Sequence, residues 1–336
     1  MLSRTAEHLF WMARHTARAE HLARLLEANW QLSMLRPEAN DGWLAVLSIA
    51  GITDAWRLAH HDVTAREVIA FMSADAANPS SIASSLGFAR ENARAVRGWA
   101  SAELWETLNA TWLDLRRLIA ERAFEHDTQA FFEWIKARSH LVRGVQFAAP
   151  VQDEAFDFLR LGSAIERADH MARLAEAHAE LFVAHAELFE ARAESFVAHA
   201  EPFEARAQAF DWHRLNALLN AANAGDAWRR IHRDALDPAR AAALLLQCAE
   251  WPGSLAASLD EVRRIVVRLR NPQSAPIERL ALQLCEEMRH APLANERPQA
   301  LRGWLLALIA RINELARRLG RDLVRPALPE AVAAAA

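Results

Sequence analysis

Between Ser3 and Pro37 the positions Leu9, Met12, Thr16, Ala19, Ala23 and Leu26 recur at spacings of three and four, which places them on one face of a long α-helix. Ser3 supplies an N-cap, and Pro37 a stop, because proline lacks an amide hydrogen and restricts the residue before it. The same reasoning predicts helices over 41–61 and 64–74. A further helix runs from Asn78 as N-cap, with Pro79 at its first position, through Arg97 to a break at Gly98. Ser101 caps the next helix, with Glu103 in its first turn where the helix dipole favours an acid. Another helix occupies 127–147, and "AAP" at 148–150 closes the first half.

The second half repeats the first. "RAEHLARLLEA" at 18–28 returns as "RADHMARLAEA" at 167–177, "DAWR" at 54–57 returns at 226–229, and "NPSSIASSL" at 78–86 answers "WPGSLAASL" at 251–259. Three landmarks in the same order predict two homologous helical units, 1–150 and 151–325, packed as one integrated domain and followed by an Ala- and Pro-rich tail at 326–336. Glu20 and Asp54 are 34 residues apart but Asp169 and Asp226 are 57 apart, so the second unit carries 23 extra residues. They fall in 177–211, where Phe182, Ala186, Phe189, Ala193, Phe196, Ala200, Phe203 and Ala207 alternate at four and three like a coiled-coil seam, until Pro202 interrupts it. Two readings stand: a helical arm that contacts a partner, or the expansion of a short repeat that is compatible with helix. Low-complexity repetition favours the second.

Composition agrees with an all-α fold. Only 10 Gly and 12 Pro occur in 336 residues, and Ala, Leu, Arg and Glu abound, which keep most of their rotamer freedom in helices. A net charge of −4, from 43 acids against 39 bases, points neither to nucleic acid nor to an anionic membrane. Lys136 is the sole lysine and Tyr is absent, so arginine carries almost all positive charge and no single Arg is diagnostic of phosphate. Cys248 and Cys285 make no C-x-x-C pair and suit a reducing compartment. Charges run through the N-terminal segment, and no apolar stretch reaches the ~18 residues that span a bilayer, so a soluble, cytoplasmic protein is expected.

The polar positions of the repeated phrase are the candidate site. Glu7, Arg14 and Arg18 form one stripe of the first helix and Glu20, Arg24 and Glu27 another; Asp169, Arg173 and Glu176 repeat the latter, and Arg167 repeats Arg18. On a solvated face these are ion pairs worth ~0.2–0.5 kcal/mol each. The alternative is that Arg18 and Arg167 meet near a pseudo-twofold axis with Glu20 and Asp169, in a buried polar network or an anion site. Burial separates the two readings. His21 and His170 also repeat, but a helical His is far more often structural than a ligand. No H-E-x-x-H occurs, and Glu287 with His290 makes only one E-x-x-H, so no metal site is expected. Arg90, Arg94 and Arg97 read as a solvated comb. No Gly-rich phosphate loop or nucleophile elbow is present.

Three stretches carry a family resemblance: "MLSRTAEHLFWMARHTARAEHLARLLE" at the start, "NPSSI" with "ARENARAVRGWASAELWETLN" within 78–109, and "DEAFDFLRLGSAIERADHMARL" at 153–174. Together they resemble the bacterial alpha-E domain proteins over nearly the whole chain. The chain departs from that pattern at Ala17, where the family usually has Glu before Arg18, and at Ser163, where the second copy usually has Arg. The heptad insert is foreign to it. The resemblance implies an all-helical accessory or co-catalytic subunit of an amide or peptide ligation system, docked on a circularly permuted ATP-grasp protein, often with a transglutaminase-like hydrolase nearby. It binds no cofactor directly; ATP and Mg²⁺ enter only through the partner. Its implied site residues are Arg18, Glu20, Glu91, Asn92, Arg94, Glu103, Asn109, Glu166, Arg167 and Asp169, as groups that orient an anion or an amine. The rival readings are a self-assembling structural protein whose heptads and Trp faces bind copies of itself, and a free-standing metal-dependent or hydrolytic enzyme.

Overall fold

The structure, a computed structural model, describes residues 3–35, 41–99, 101–148, 151–182, 202–233, 236–291 and 298–324, the side chains of 202–210 apart. Among these residues it is all-helical. The helices are α1 (Ser3–Ser33), α2 (Asp41–Ile49), α3 (Thr53–Ala59), α4 (Ala65–Ala74), α5 (Ile82–Ala95), α6 (Ala102–Ala120), α7 (Ala123–His126), α8 (Thr128–Phe147) and α9 (Glu154–Ala177). There follow α10 (Pro202–Ala221), α11 (Gly225–Ile231), α12 (Pro238–Gln247), α13 (Leu255–Arg268), α14 (Ala275–Arg289) and α15 (Pro298–Arg318), and a π-helical turn over Leu319–Val324. The heptad expectation rests on a stretch whose centre, 183–201, lies outside the described residues, as does the 326–336 tail.

α1 forms as its periodicity predicts, with Leu9, Met12, Thr16, Ala19, Ala23 and Leu26 all buried. The expected 41–61 helix instead divides into α2 and α3. Gly51 takes a left-handed conformation at φ 70°, and the Ile52 amide turns back to the Leu47 carbonyl at 3.0 Å, which ends α2 as a C-terminal glycine commonly does. The cap of α5 also moves. Ser81, not Asn78, accepts from the third helical amide, that of Ser84, at 3.1 Å, while the buried Asn78 accepts from Ser80 N and donates to the Phe71 carbonyl. An Asx turn therefore precedes the helix, and a serine starts it.

The repeated strings adopt matching local structure. Ser254 caps α13 as Ser81 caps α5, and each hydroxyl also donates to the carbonyl six residues back, of Cys248 and of Asp75. Thr64 caps the ten-residue α4, and Asp237 caps the ten-residue α12. Asn223 adopts φ 57° after α10 where Gly51 adopts its positive φ after α2. α1 packs on α5 and α8, and α9 packs correspondingly on α13 and α15. The two sets meet where α1 packs on α9, and they cross over where α10 lies on α1 and α2 reaches α9. One apolar core runs from Ala6 to Val324, and the Ser3 hydroxyl donates to the Val324 carbonyl, tying the two ends of the described chain together. No helix among the described residues is long and apolar enough to cross a membrane.

Candidate functional site

The site lies along the contact of α1 with α9. A Cβ built on Gly162 would sit 2.2 Å from the Phe10 carbonyl oxygen and 3.2 Å from the Ala13 Cβ, so the absence of a side chain permits this approach. Further along, Arg14 and Arg18 meet Glu166, and the rings of His21 and His170 stack at 4.4 Å with 11° between their planes. Contacts advance together on both helices, from 10 to 21 and from 162 to 170, so α1 and α9 run parallel. His21 with His170 and, at the same 149-residue offset, Ala13 with Gly162 face each other, so the two helices pack in register with the repeated phrase. Every other polar position of the phrase is therefore placed on one side of this helix pair or the other.

On the first side, the Glu166 carboxylate is gripped by two guanidiniums. Arg18 donates from Nε to Oε1 at 2.6 Å and from Nη2 to Oε2 at 3.0 Å, and Arg14 donates from Nε to Oε2 at 2.9 Å. Burial opposes charge on Glu166, but Arg18 and Arg14 overcome it and hold the carboxyl far below the ordinary carboxylate range. Asp169 accepts from Arg173 at 2.9 Å through Oδ2, and its other oxygen is buried without a hydrogen-bond partner. These groups line a cavity of about 230 Å³ that Gly51 and Ser80 also edge.

On the second side, the counterparts of Arg14 and Glu166 are Ser163 and Ala17, and the ion pair has no equivalent. Arg167, the counterpart of Arg18, turns instead to α13: Nε donates to Ser258 Oγ at 2.9 Å and Nη2 to Glu261 Oε2 at 2.8 Å, an acid it shares with Arg160. Glu20, the counterpart of Asp169, is 2 % exposed and pairs with Arg24 at 3.1 Å and with Arg143 of α8, while His140 of α8 accepts from Arg24 at 2.9 Å. Glu20, Arg24, Arg143 and Arg167 line a cavity of about 300 Å³, closed by Ala222, Asn223 and the Trp251–Gly253 turn before α13. The stripes are thus buried ion pairs rather than a solvated face, and Arg18 and Arg167 stand on opposite sides of the histidine stack. A third cavity, of about 560 Å³, lies between α1, α2 and α10, where Asp41, Glu180, Asp211 and Arg214 edge a mostly apolar lining away from the histidine stack.

The histidines are held neutral. Burial, and then the neighbouring arginines, lower His15 from 6.5 to about 4; burial lowers His170 to about 4 and His21 well below its ordinary value. Unfolded histidines bind protons that the folded ones refuse, so stability is full above pH 6.5 and declines as pH falls toward 4. Urea unfolding across pH 4–8 checks this: we expect a falling midpoint below about 6.5 that flattens in His21→Asn/His170→Asn, whereas a level wild-type profile contradicts it.

The remaining sequence candidates lie away from this seam, on α5 and α6. Asn92 Oδ1 accepts from the His8 ring Nδ1 at 2.8 Å and its Nδ2 donates to the Phe88 carbonyl; Asn109 accepts from Arg90, whose guanidinium also lies over the Trp105 ring. Arg90 is therefore a clip between α5 and α6, not part of a solvated comb. Glu91 and Arg94 pair with each other on the surface, and Glu103 is exposed in the first turn of α6. Arg143, Arg160, Glu261 and Gln146 also belong to the seam, beyond the residues that the sequence singles out, and Arg14 joins it from the first-helix stripe. These four reach the seam from α8, the start of α9 and α13, which no spacing within one helix reveals. Glu287 pairs with Arg311, and no group of three or more His, Cys, Asp or Glu side chains among the described residues could hold a metal.

Fold and site together define an all-helical protein organised about a parallel, polar helix pair. A family model, Alpha-E, described as a predicted alpha-helical domain with a conserved ER motif, matches residues 1–323. The chain belongs to this Alpha-E family. Glu166–Arg167 is an ER dipeptide on α9, and its two side chains face opposite sides of the helix pair. No curated protein and no solved structure matches the chain.

Proposed function

We propose that the chain is two copies of one helical module, 1–150 and 151–325, and serves as the accessory or co-catalytic subunit of an ATP-grasp-type amide or peptide ligation system. In this reading the α1–α9 seam orients substrate for a partner ligase, which brings ATP and Mg²⁺. Arg18, Glu20, Glu166, Arg167 and Asp169 are the orienting groups, while the exposed Glu91, Arg94 and Glu103 face the partner. The observation that carries the reading is the seam itself. Buried Arg and acid side chains flank a shared histidine stack on two sides, a concentration of desolvated charge that serves recognition better than stability. The family membership supports it, and so does the lack of a phosphate-cradling glycine loop in the sequence, which leaves phosphoryl chemistry to another chain.

The test is co-expression with a circularly permuted ATP-grasp protein from the same genome, followed by phosphate release with and without this chain. We expect a stable complex and faster substrate-dependent release, reduced in Arg167→Ala. No complex together with unchanged turnover overturns the reading and favours a structural role.

A further inference from the structure

The two sides of the in-register α1–α9 pair carry positions at the same 149-residue offset but are filled differently. On the first, the protein's own carboxylate, Glu166, sits between two guanidiniums. On the second, Ala17 and Ser163 replace both members of the Arg14–Glu166 pair, and both residues line the larger cavity. A carboxylate and its guanidinium are thus missing together from one place, while Arg167 and the acid Glu20 remain. The cavity retains Arg24, Arg143 and Arg167. Three guanidiniums and one carboxylate, Glu20, thus line the cavity, while Arg167 shares Glu261 behind the wall with Arg160. Gln146, 3 % exposed and also lining the cavity, has a buried Nε2 with no hydrogen-bond partner. A buried donor without an acceptor costs free energy that a ligand oxygen recovers.

We propose that this second cavity binds a small carboxylate, up to the size of a dicarboxylate, with one carboxylate group taking the place that Glu166 fills on the other side. A planar carboxylate matches the paired N–H edge of a guanidinium, as the bidentate Arg18–Glu166 contact shows in the same fold. Arg167 and Arg143 grip the ligand, Gln146 donates to it, and Glu20 at the same wall disfavours ligands carrying more negative charge and suits an amine beside the carboxylate. About 300 Å³ is at the small end of ligand pockets. Like charge supports this: burial and then the nearby Arg167 lower the Arg143 guanidinium below its ordinary value, a repulsion that an anion relieves.

The inference rests on the seam being a substrate-orienting surface but requires no partner protein, so it is tested on the chain alone. Glutarate is titrated by calorimetry and thermal shift, with inorganic phosphate as the tetrahedral comparison. We expect saturable glutarate binding that stabilises the fold, weaker binding of phosphate, and loss of binding in Ala17→Glu/Ser163→Arg, which rebuilds the internal ion pair inside the cavity. Gln146→Leu keeps the shape and removes the donor, and should weaken binding about tenfold, the size of one charge-assisted hydrogen bond; it decides the matter if the double variant does not fold. Absent glutarate binding, tighter binding of phosphate, or glutarate affinity unchanged in the variant that folds overturns the proposal. Glutarate binding without a ligase complex sinks only the partner assignment, and the converse sinks only this one.

Discussion

Replacing Glu166 by alanine lowers stability by about 3–5 kcal/mol, the cost of leaving charge buried after one member of an ion pair is removed. Glu166 is 5 % exposed and pairs with both Arg14 and Arg18, whose guanidiniums are themselves largely buried. Arg14 also lies over the Trp11 ring at 4.8 Å, so it cannot swing into water without giving up that contact. Glu166→Gln retains the shape and some hydrogen bonding and should lose less. Because the folded carboxyl is held below its ordinary range, its stabilisation is present above pH 4.5 and disappears as pH falls further, and Glu166→Gln removes that acid-side slope. Denaturant unfolding of wild type and both variants at pH 7 and in acid measures all of this. A loss within 0.5 kcal/mol for Glu166→Ala, typical of an exposed pair, contradicts the burial of the network.

A single methyl group at Gly162 has an effect of the same order. Alanine ordinarily stabilises a helix interior relative to glycine by ~1 kcal/mol, so a local argument predicts a gain. Here the added carbon meets the Phe10 backbone carbonyl, which cannot rotate aside as a side chain could, and α1 must retreat from α9. We expect Gly162→Ala to cost about 3 kcal/mol, at the upper end of overpacking penalties, and to weaken the Arg14–Glu166 contact one turn away. As a control, the open Gly144 on α8, whose added Cβ meets nothing within 4 Å, should gain stability from the same substitution. Thermal unfolding of the two variants separates the effects by sign.

The long helices were legible because each buries a stripe that only the 3.6-residue period explains. The division of α2 from α3 was not read, because Gly51 acts through its left-handed backbone rather than through hydrophobicity; its counterpart Asn223, a residue tolerant of that conformation, was the available sign. The Ser81 cap was equally recoverable. Trp251 occupies the position equivalent to Asn78 and cannot cap a helix, whereas the serine recurs at 254. At the site, repetition disclosed which polar residues matter, since Arg18, Glu20, Glu166, Arg167 and Asp169 all border the histidine stack. It did not disclose their partners. Arg143 and Glu261 arrive from α8 and α13, and the sharing of one cavity by Ala17 and Ser163 depends on the parallel direction of two helices far apart in sequence. That direction is a tertiary fact: an antiparallel pairing would have placed the same residues elsewhere.

The parallel, in-register pairing of α1 with α9 is the claim on which the cavities, the ion pairs and the proposed ligand all depend. It is tested most directly by His21→Cys/His170→Cys in a Cys248→Ser/Cys285→Ser background, treated with a short bis-maleimide under native conditions. The stacked rings predict rapid intramolecular cross-linking between positions 21 and 170, identified by peptide mass, and none when position 170 is paired with position 8 instead. Equal or preferential cross-linking of the 8/170 pair, or none at 21/170 while both thiols react, would contradict it.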